Sequence, residues 1–580
     1  MNQDNRNLVL AIVCSALLVI GYQIFYELPK QQALEEQALL EQKDLILTAP
    51  EQTSNNEKIA ETSIQQTEIV NAPRITIDTP SIEGSISLAG ARIDDIVLKN
   101  YTKTLDENSS KIRFFNRIDD TKPYFAEFGW IGSEEINLPN STSIWNTNQS
   151  VLQPGKPVTL SYETTNLKFT RVFEINEDYL IKITDKVKNT GLSDTTLYPY
   201  GLVRRTGLPK VDGLFILHEG PIAVINEELK EVDYNDLIDD GDEIISSEID
   251  GGWIGITDKY WLAALIPDQK DRSEFAFRYS KKSTGQWQSD WRGSAKILSS
   301  GSEIETTSHL YAGAKKLALL DKVEEDIGAY RFDLAIDFGW FYFLTKPFFY
   351  TLNWLSKYLG NFGLAIIGLT IIIKILFFPL QNGSYRSMAK MRALQPKLTE
   401  LRERYKGDQQ ALNKAMMEMY RSEKVNPAAG CLPIFIQIPV FFALYKVLYV
   451  TIEMRHAPFY GWINDLSAKD PTSILNLFGL LPYSVQNWPI PDFFQLGVWP
   501  IIMGASMWLQ FRLNPTPPDP IQARIFAWMP VIFTFLLATF PAGLVIYWTI
   551  NNLLSIGQQW LIMRPVSYTH LRAHETVRNL

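Results

Sequence analysis

A run of about forty residues without an internal charge constrains this 580-residue chain more than any other feature. The run is Ile525–Arg564, with Arg564 as its first charged residue, and Phe540-Pro541-Ala542-Gly543 interrupts it. A transmembrane helix needs about 20 apolar residues, and a Pro-Gly break favours a turn. The run therefore predicts two membrane spans joined by a tight turn.

Four more apolar segments have the length of a membrane span. They are Leu8–Tyr26 without a charge, Phe362–Leu380 with Lys374, Cys431–Val450 with Gln437 and Lys446, and Phe493–Phe511 without a charge. The alternative for the first segment is a cleaved signal peptide, but no small-x-small pair follows it, which favours an anchor. The sequence thus predicts an α-helical membrane protein with an N-terminal anchor (1–26) and a five-span core (361–564).

The distribution of charge predicts the orientation. Residues 381–430 contain ten Lys and Arg, and short basic loops stay in the cytoplasm. Counting spans from this loop puts both termini in the cytoplasm and the large soluble region across the membrane. Residues 27–345 contain 52 Asp and Glu against 33 Lys and Arg, whereas residues 346–580 contain 11 against 21. This asymmetry disfavours a nucleic-acid binder with one uniform basic face.

The residue pattern of the region outside the membrane changes near Arg74. Residues 27–73 are rich in Gln, Glu, Thr, Ser and Asn, which predicts a flexible linker. Beyond it, apolar residues alternate with polar ones, as at Leu167, Phe169, Phe173 and Ile175, and again at Ile181, Ile183 and Val187. Alternation of this kind is typical of half-buried strands. We expect a large antiparallel β-sandwich over residues 74–337.

An aromatic segment separates this domain from the core. Phe338–Tyr358 is dense in Phe, Trp and Tyr with scattered Lys. That composition predicts an amphipathic segment over residues 338–360, lying on the outer membrane surface. The alternative is a helix packed on the sandwich.

Residues suited to covalent chemistry are scarce. Cys14 and Cys431 are the two cysteines, which excludes a disulfide framework. His218 and His309 fit packed or surface positions better than catalysis, and no Ser/His/Asp, zinc or phosphate-loop spacing is present. The sequence therefore predicts no enzyme and no cofactor.

The basic loop has helical periodicity over residues 381–430. One apolar stripe comprises Met391, Leu394, Leu398, Leu401 and Tyr405, and a second comprises Leu412, Met416, Met419 and Tyr420. Between them, Lys406-Gly407-Asp408 breaks the helix, with Asp408 as an N-cap. This predicts a cytoplasmic helical hairpin with Arg386, Lys390 and Arg392 near its start. Self-packing, partner binding and contact with anionic lipid all remain open.

Lys374 lies inside an apolar span, about 9 Å from its cytoplasmic end by helical rise. It could snorkel to the headgroups, or it could face a hydrated cavity. Thr370 lies one turn earlier on the same face, and Gln437 adds a polar group in the next span. Two polar sites on separate spans favour the cavity.

Several ordered segments resemble one family. NPAAGCLPIFIQIPVFFALY (Asn426–Tyr445) is similar to the signature of the YidC/Oxa membrane protein insertases, as are SMAKMRALQPKL, EMRHAPFYGWINDLSAKDP and MPVIFTFLLATFPAGLVIYW. GSISLAGARIDDIVLKNY and GGWIGITDKYWLAALIP resemble the Gram-negative form with a periplasmic domain. The resemblance covers nearly the whole chain up to Arg564.

The resemblance implies an insertase and chaperone of the inner membrane, without covalent chemistry, acting through a hydrophilic groove open to the cytoplasm. Lys374 occupies the position of the groove's positive centre, where better-known members have Arg. Tyr547-Trp548 replaces the family's Tyr-Tyr pair, and Trp508, Tyr547 and Trp548 are candidate client contacts. The implied partners are nascent membrane proteins, ribosome–nascent-chain complexes, signal-recognition components, the Sec translocon and membrane lipids, with no specific nucleic-acid sequence.

The tail departs from the family. Pro565–Leu580, with His570 and His574, replaces the expected basic tail and resembles translated adapter sequence. We expect residues 565–580 to be non-native. The rival functions are a secondary transporter, disfavoured because no internal repeat is visible, and a membrane-tethered carbohydrate-active enzyme, which rests on fold analogy alone.

Overall fold

A computed structural model describes residues 71–209, 217–240, 243–281, 285–423, 432–481, 494–514 and 520–578, together with Val425, Tyr483 and Pro491. The predicted anchor and nearly all of the predicted linker lie outside these residues.

The first part of the described chain is a β domain. Its strands are β1 (Arg74–Asp78), β2 (Ile82–Ser87), β3 (Arg92–Thr102), β4 (Lys111–Phe115), β5 (Tyr124–Ile131), β6 (Val151–Leu152), β7 (Val158–Glu163), β8 (Leu167–Ile175), β9 (Leu180–Asn189), β10 (Thr195–Thr206), β11 (Gly220–Ile225), β12 (Glu228–Glu231), β13 (Glu243–Asp250), β14 (Trp253–Thr257), β15 (Trp261–Ile266), β16 (Arg272–Ser280), β17 (Gln286–Gly293), β18 (Lys296–Leu298) and β19 (Glu303–Ala314).

These strands form two sheets. The order in the larger sheet is β13-β16-β17-β10-β5-β3-β2-β1-β6, with β4 beside β3 and β18 beside β10, and the smaller is β12-β11-β14-β15-β19-β9-β8-β7. The described pairs are antiparallel except β1 with β6. In β8 and β9 every residue that the alternation assigned to the inner face is buried, which confirms that part of the prediction.

The two sheets pack against each other around one apolar core. Trp253 is fully buried in that core, and Ser289 Oγ of the larger sheet donates to the Gly255 carbonyl of the smaller sheet at 2.8 Å. Gly255 has no room for a side chain, because a Cβ there would lie 2.1 Å from the Ala263 carbonyl oxygen. The β-sandwich is therefore present as the sequence predicted.

The helices follow in chain order. They are α1 (Tyr234–Asp240), α2 (Leu317–Ile327), α3 (Tyr342–Leu359), α4 (Phe362–Leu376), α5 (Phe378–Ala393), α6 (Gln395–Arg404), α7 (Gln409–Ser422), α8 (Leu432–Val450), α9 (Val498–Leu513), α10 (Pro520–Leu537) and α11 (Ala542–Arg578). From α3 onwards they form the helical core, in which α11 packs on α4, α5, α8 and α9.

The segment predicted as one span over Phe362–Leu380 is divided between two helices. α4 ends at Leu376, and α5 leaves it at an angle of 69°. Pro379, in the first turn of α5, has no N–H to give to the Ile375 carbonyl, and its ring would clash with that carbonyl in a continuous helix. The proline therefore explains the bend. That Pro379 would end the first helix within the predicted span was missed in the sequence.

Other predicted boundaries agree more closely with the helices. The break at Phe540–Gly543 separates α10 from α11, and α8 covers almost all of Cys431–Val450. Among the described residues, no single helix meets both the length and the hydropathy expected of a membrane span, and α4 and α5 meet them only when the bent pair is taken together. The backbone of α11 continues as helix to Arg578 through the predicted non-native tail.

Candidate functional site in the helical core

Lys374 points towards α11. Its ammonium group donates a hydrogen bond to Ser555 Oγ at 2.7 Å, and Ser555 Oγ donates to the Asn551 carbonyl at 2.7 Å. The side chain is half-buried, and it meets this partner across the helix pair. In the described part of the chain, no acidic side chain pairs with Lys374. The result is a cation with a hydroxyl partner and no neutralising carboxylate.

A row of buried uncharged polar side chains follows α11 on either side of this contact. We call it the polar seam, and it comprises Thr549, Asn551, Asn552, Ser555 and Gln559. Residues three and four apart share one face of a helix, so these side chains lie along neighbouring turns. Asn552 Nδ2 donates to Ser506 Oγ of α9 at 3.0 Å, and Gln559 Nε2 donates to the Leu513 carbonyl at 3.2 Å.

The polar seam was not predicted from the sequence. Ile525–Arg564 stood out by its absence of charge, and amides and hydroxyls do not interrupt such a run. The available signal was their helical spacing within an otherwise apolar segment. Sequence alone does not say which helix faces them.

The other predicted groove residues, Thr370 and Gln437, have hydrogen-bond partners of their own. Thr370 is buried, and its hydroxyl donates to the Ile366 carbonyl of its own helix at 2.7 Å. Gln437 Nε2 of α8 donates to the Tyr547 hydroxyl at 2.5 Å. Tyr547 precedes Ser555 by eight residues, or about 12 Å along α11. The two predicted polar sites therefore both meet α11, about two turns apart.

The three predicted aromatic contact residues differ in exposure. Tyr547 is buried beside Gln437, and Trp548 is half-buried, with ring centroids 4.7 Å from Phe441 and 5.5 Å from Phe533. Trp508 is 49% exposed, and the Arg512 guanidinium lies 4.4 Å from the centre of its ring. Of the three, Trp508 has the most open surface.

The basic hairpin is built from α6 and α7 after the end of α5. Its small core contains Leu394, Leu398, Tyr420 and Val425, with Met391, Met416 and Met419 packed against it. Asp408 caps α7 by accepting from the Ala411 N–H at 3.0 Å, as predicted. The methionine stripes are thus used in self-packing. The predicted basic residues Arg386, Lys390 and Arg392 lie on α5, next to this core, and are exposed.

Specific polar contacts join the β domain to the helical core. Lys446 Nζ of α8 lies 2.6 Å from Asp337 Oδ2, and Lys346 Nζ of α3 lies 2.7 Å from Asp333 Oδ2. Arg455, beyond α8, donates to the Thr102 carbonyl at 2.6 Å. Sequence reasoning missed these contacts, and two of them, Lys446–Asp337 and Arg455–Thr102, join residues more than 100 positions apart.

The predicted aromatic segment forms α3. One face, with Phe349, Leu352 and Leu355, is buried, and the aromatic side chains of Trp354 and Tyr358 are exposed. The helix is therefore packed on one side and presents aromatic rings on another.

The two histidines of the β domain occupy ordinary packed positions. Burial lowers the pKa of His309 to about 4, so its imidazole is neutral at physiological pH. His218 Nε2 lies 2.9 Å from the Pro221 carbonyl. Within the described ranges, no group of three or more His, Cys, Asp or Glu side chains is arranged to hold a metal ion.

Two family models cover most of the chain. One, described as the YidC periplasmic domain, matches residues 74–351, and the other, described as the 60Kd inner membrane protein, matches residues 354–569. Their boundary falls within α3. The β domain and the helical core therefore match separate parts of the same kind of protein.

Full-length relatives agree with both models. The Membrane protein insertase YidC of Methylobacterium nodulans is 46% identical, over 97% of this chain and 96% of that protein. The protein of the same name from Mesorhizobium japonicum is 45% identical, with coverages of 97% and 96%. A crystal structure of an active YidC insertase with its first transmembrane domain resolved is 18% identical, covers 86% of this chain and 98% of that one, and has a TM-score of 0.33.

The family models and the two sequence relatives extend over both the β domain and the helical core, and the relatives are 46% and 45% identical. They give the chain a periplasmic β-rich domain, a helical core in the bacterial inner membrane and a function in inserting nascent membrane proteins, without covalent catalysis. The chain belongs to the YidC family of membrane protein insertases.

Proposed function

We propose that Lys374 and the polar seam form a groove that lets the polar flank of a client enter the bilayer from the cytoplasm. The observation that supports this most directly is the Lys374–Ser555 contact, a cation held against a row of buried amides and hydroxyls. Moving polar groups through hydrocarbon without hydrogen-bond partners costs several kcal/mol for each group. Groups that can exchange hydrogen bonds with a client would lower that cost.

The charge of Lys374 gives the groove a preference. The Ser555 hydroxyl accepts a hydrogen bond from the ammonium group but does not neutralise its charge. An acidic side chain in the client flank is therefore attracted electrostatically to Lys374, whereas a neutral flank is not. Lys also lacks the planar fork of Arg, and it therefore acts as a point charge with little geometric selectivity. We infer selection by charge and tolerance of different client sequences.

The helices also offer a way out into lipid. Ile375 and Leu376 of α4 and Phe435 of α8 are among the most exposed apolar side chains of the core. An incoming apolar helix can slide along such a surface and then partition into the bilayer, driven by hydrophobic burial. Trp508 and Trp548 are the aromatic side chains we assign to this path.

This proposal includes the topology predicted from the sequence. It has an N-terminal anchor, a linker to residue 73, a periplasmic domain at 74–337, an interfacial segment at 338–360 and five spans within 361–564, with both termini in the cytoplasm. The basic loop and the positive-inside rule support this orientation. The tight α10–α11 turn then lies on the periplasmic side.

The exposed basic surface of the hairpin is proposed as the docking site for cytoplasmic partners. Arg386, Lys390 and Arg392 present three cations where ribosome–nascent-chain complexes and signal-recognition components would arrive. Anionic lipid at the inner surface could contact the same side chains. Cooperation with the Sec translocon belongs to this proposal as well, and no cofactor is needed.

Reconstitution in liposomes tests the proposal. Purified full-length protein is expected to insert a small single-span client without a nucleotide, and Lys374→Arg is expected to preserve that activity. Lys374→Glu is expected to abolish it, because an acidic centre repels acidic flanks. Equal insertion by the Arg and Glu variants, at equal protein levels, would remove the charged centre from the mechanism.

A further inference from the structure

A second polar site lies where the β domain meets the helical core. It is a cavity of about 580 Å³, which we call the junction cavity, and its walls come from β4, β5, β10, the turn before β15 and the segment after α8. Arg455 belongs to that last segment, and its guanidinium lies 5.8 Å from the centre of the Trp261 ring. The cavity therefore contains side chains from both parts of the molecule.

One contact fixes the depth of the junction cavity relative to the proposed membrane. The Lys259 ammonium group lies 3.5 Å from the centre of the Tyr449 ring, and Tyr449 is the penultimate residue of α8. In the proposed topology, which this inference requires, α8 ends at the outer surface of the bilayer. Lys259 then lies at the level of the lipid headgroups, where Lys and Tyr side chains are commonly found.

The cavity has an excess of positive charge. Among its lining groups, Arg205 is paired with Asp258 at 2.6 Å, and Arg113 is paired with Asp95 outside the cavity. The other charged lining residues are Lys122, Lys259, Arg455 and Glu219, and Glu219 Oε1 accepts from the Lys259 backbone N–H at 3.0 Å. Counted over the whole lining, cations outnumber carboxylates. A cavity with this balance attracts an anion.

An unsatisfied donor points to the same kind of ligand. Tyr124 lines the cavity and is 3% exposed, and its hydroxyl has no hydrogen-bond partner among the described residues. A buried hydroxyl without a partner is costly, so such groups normally meet a ligand or a water molecule. Tyr124 thus brings an unsatisfied neutral donor to the wall of the cavity.

We propose that the junction cavity binds the phosphate group of an anionic phospholipid from the outer leaflet of the inner membrane. Lys122, Lys259 and Arg455 supply the positive charge, and the Tyr124 hydroxyl donates to a phosphate oxygen. The aromatic walls at Phe114 and Trp261 suit the less polar part of a lipid better than they suit inorganic phosphate. A bound lipid would tether the β domain to the membrane surface beside the core.

The test uses full-length protein in nanodiscs of phosphatidylcholine with or without 20% phosphatidylglycerol. Native mass spectrometry then measures the phosphatidylglycerol retained per protein for wild type and for Lys122→Gln/Lys259→Gln. Lys168→Gln/Lys182→Gln is the matched control, because it removes the same charge from exposed lysines paired with glutamates on β7 and β8. Loss of two headgroup cations is expected to weaken retention roughly thirtyfold.

The expected result is that wild type and control retain one phosphatidylglycerol more than the site variant, and that 20 mM inorganic phosphate does not displace it. Equal retention by all three proteins, or displacement by inorganic phosphate, would overturn the lipid assignment. Tyr124→Phe is a second variant that keeps the charge and the ring, and it should retain less lipid than wild type. The Lys374 variants are tested in a separate insertion assay. A negative result for lipid binding therefore does not decide whether the proposed groove is correct.

Discussion

At the scale of single residues, the cost of burying charge distinguishes Lys374 from Glu453. Lys374 has a hydroxyl partner from the polar seam, whereas Glu453 is half-buried at the junction, and its Oε2 atom is buried with no partner among the described residues. Burial raises the pKa of Glu453 from 4.5 to about 7, against the opposing effect of Lys316 and Lys357. The junction therefore contains a carboxyl group that is costly to ionise.

This raised pKa predicts a pH-dependent stability with a definite sign. The folded protein holds the Glu453 proton more tightly than the unfolded chain, so stability falls as the pH rises from about 4.5 to about 7, and then levels off. The cost above that range is on the order of 3 kcal/mol. Glu453→Gln should therefore raise the apparent unfolding temperature at pH 8 and flatten its decline between pH 5 and pH 8.

Thermal unfolding in detergent micelles at the two pH values measures the effect. Glu325→Gln, on an exposed face of α2, is the control and should parallel wild type. If Glu453→Gln also parallels wild type, the Glu453 carboxyl group does not limit stability.

At the scale of elements, α6 and α7 pack around a small core of their own, and three exposed basic residues lie beside it on α5. The methionines of the hairpin pack inwards, so the predicted adaptable methionine surface is reduced, and the exposed cations become the better candidates for partner contact. α5 is held independently by packing of Tyr385 and Met388 against Ile562. The hairpin can therefore be altered without removing the support of α5.

Two variants separate the charge of the hairpin from its shape. Replacing residues 395–422 with a short linker removes α6 and α7, and Arg386→Gln/Lys390→Gln/Arg392→Gln leaves them folded. Both should weaken site-specific crosslinking to ribosome-bound clients, while the purified core stays folded. Unchanged crosslinking in both variants would make the hairpin a spacer.

Some features of these elements could be predicted from the sequence and others could not. Alternation in β8 and β9 predicted the buried faces because a strand has a period of two that needs no knowledge of its neighbours. The polar seam was missed because its partners lie on other helices. The bend was missed although its signal, Pro379, is local. Lys374 was found by its charge, whereas its partner Ser555 has no charge to reveal it.

At the scale of the whole molecule, the β domain is joined to the core by ion pairs at its C-terminal end. Asp333 pairs with Lys346, and Asp337 pairs with Lys446. Most of the sandwich lies before these carboxylates, and the polar seam lies after them. We therefore expect activity to depend on whether a deletion spares Asp333 and Asp337, more than on whether the sandwich is present.

Two deletions test this. A protein lacking residues 74–330 keeps both carboxylates and should complement an insertase-depleted strain. A protein lacking residues 74–340 loses Asp333 and Asp337, the ion-pair partners of Lys346 and Lys446. Removing the partners of two partly buried lysines is unfavourable, so the longer deletion should lose stability and activity. Complete loss in the shorter deletion, at normal membrane levels, would show that the sandwich itself is essential.

The most direct test of the groove compares matched clients that differ only in the charge of the translocated flank. Wild type and Lys374→Ala are measured at equal membrane levels, with insertion as the readout. The account predicts that the variant impairs the client with the acidic flank strongly and the neutral client little, because the ammonium group attracts only the former. An equal effect on both clients would contradict it and leave Lys374 as an interfacial anchor.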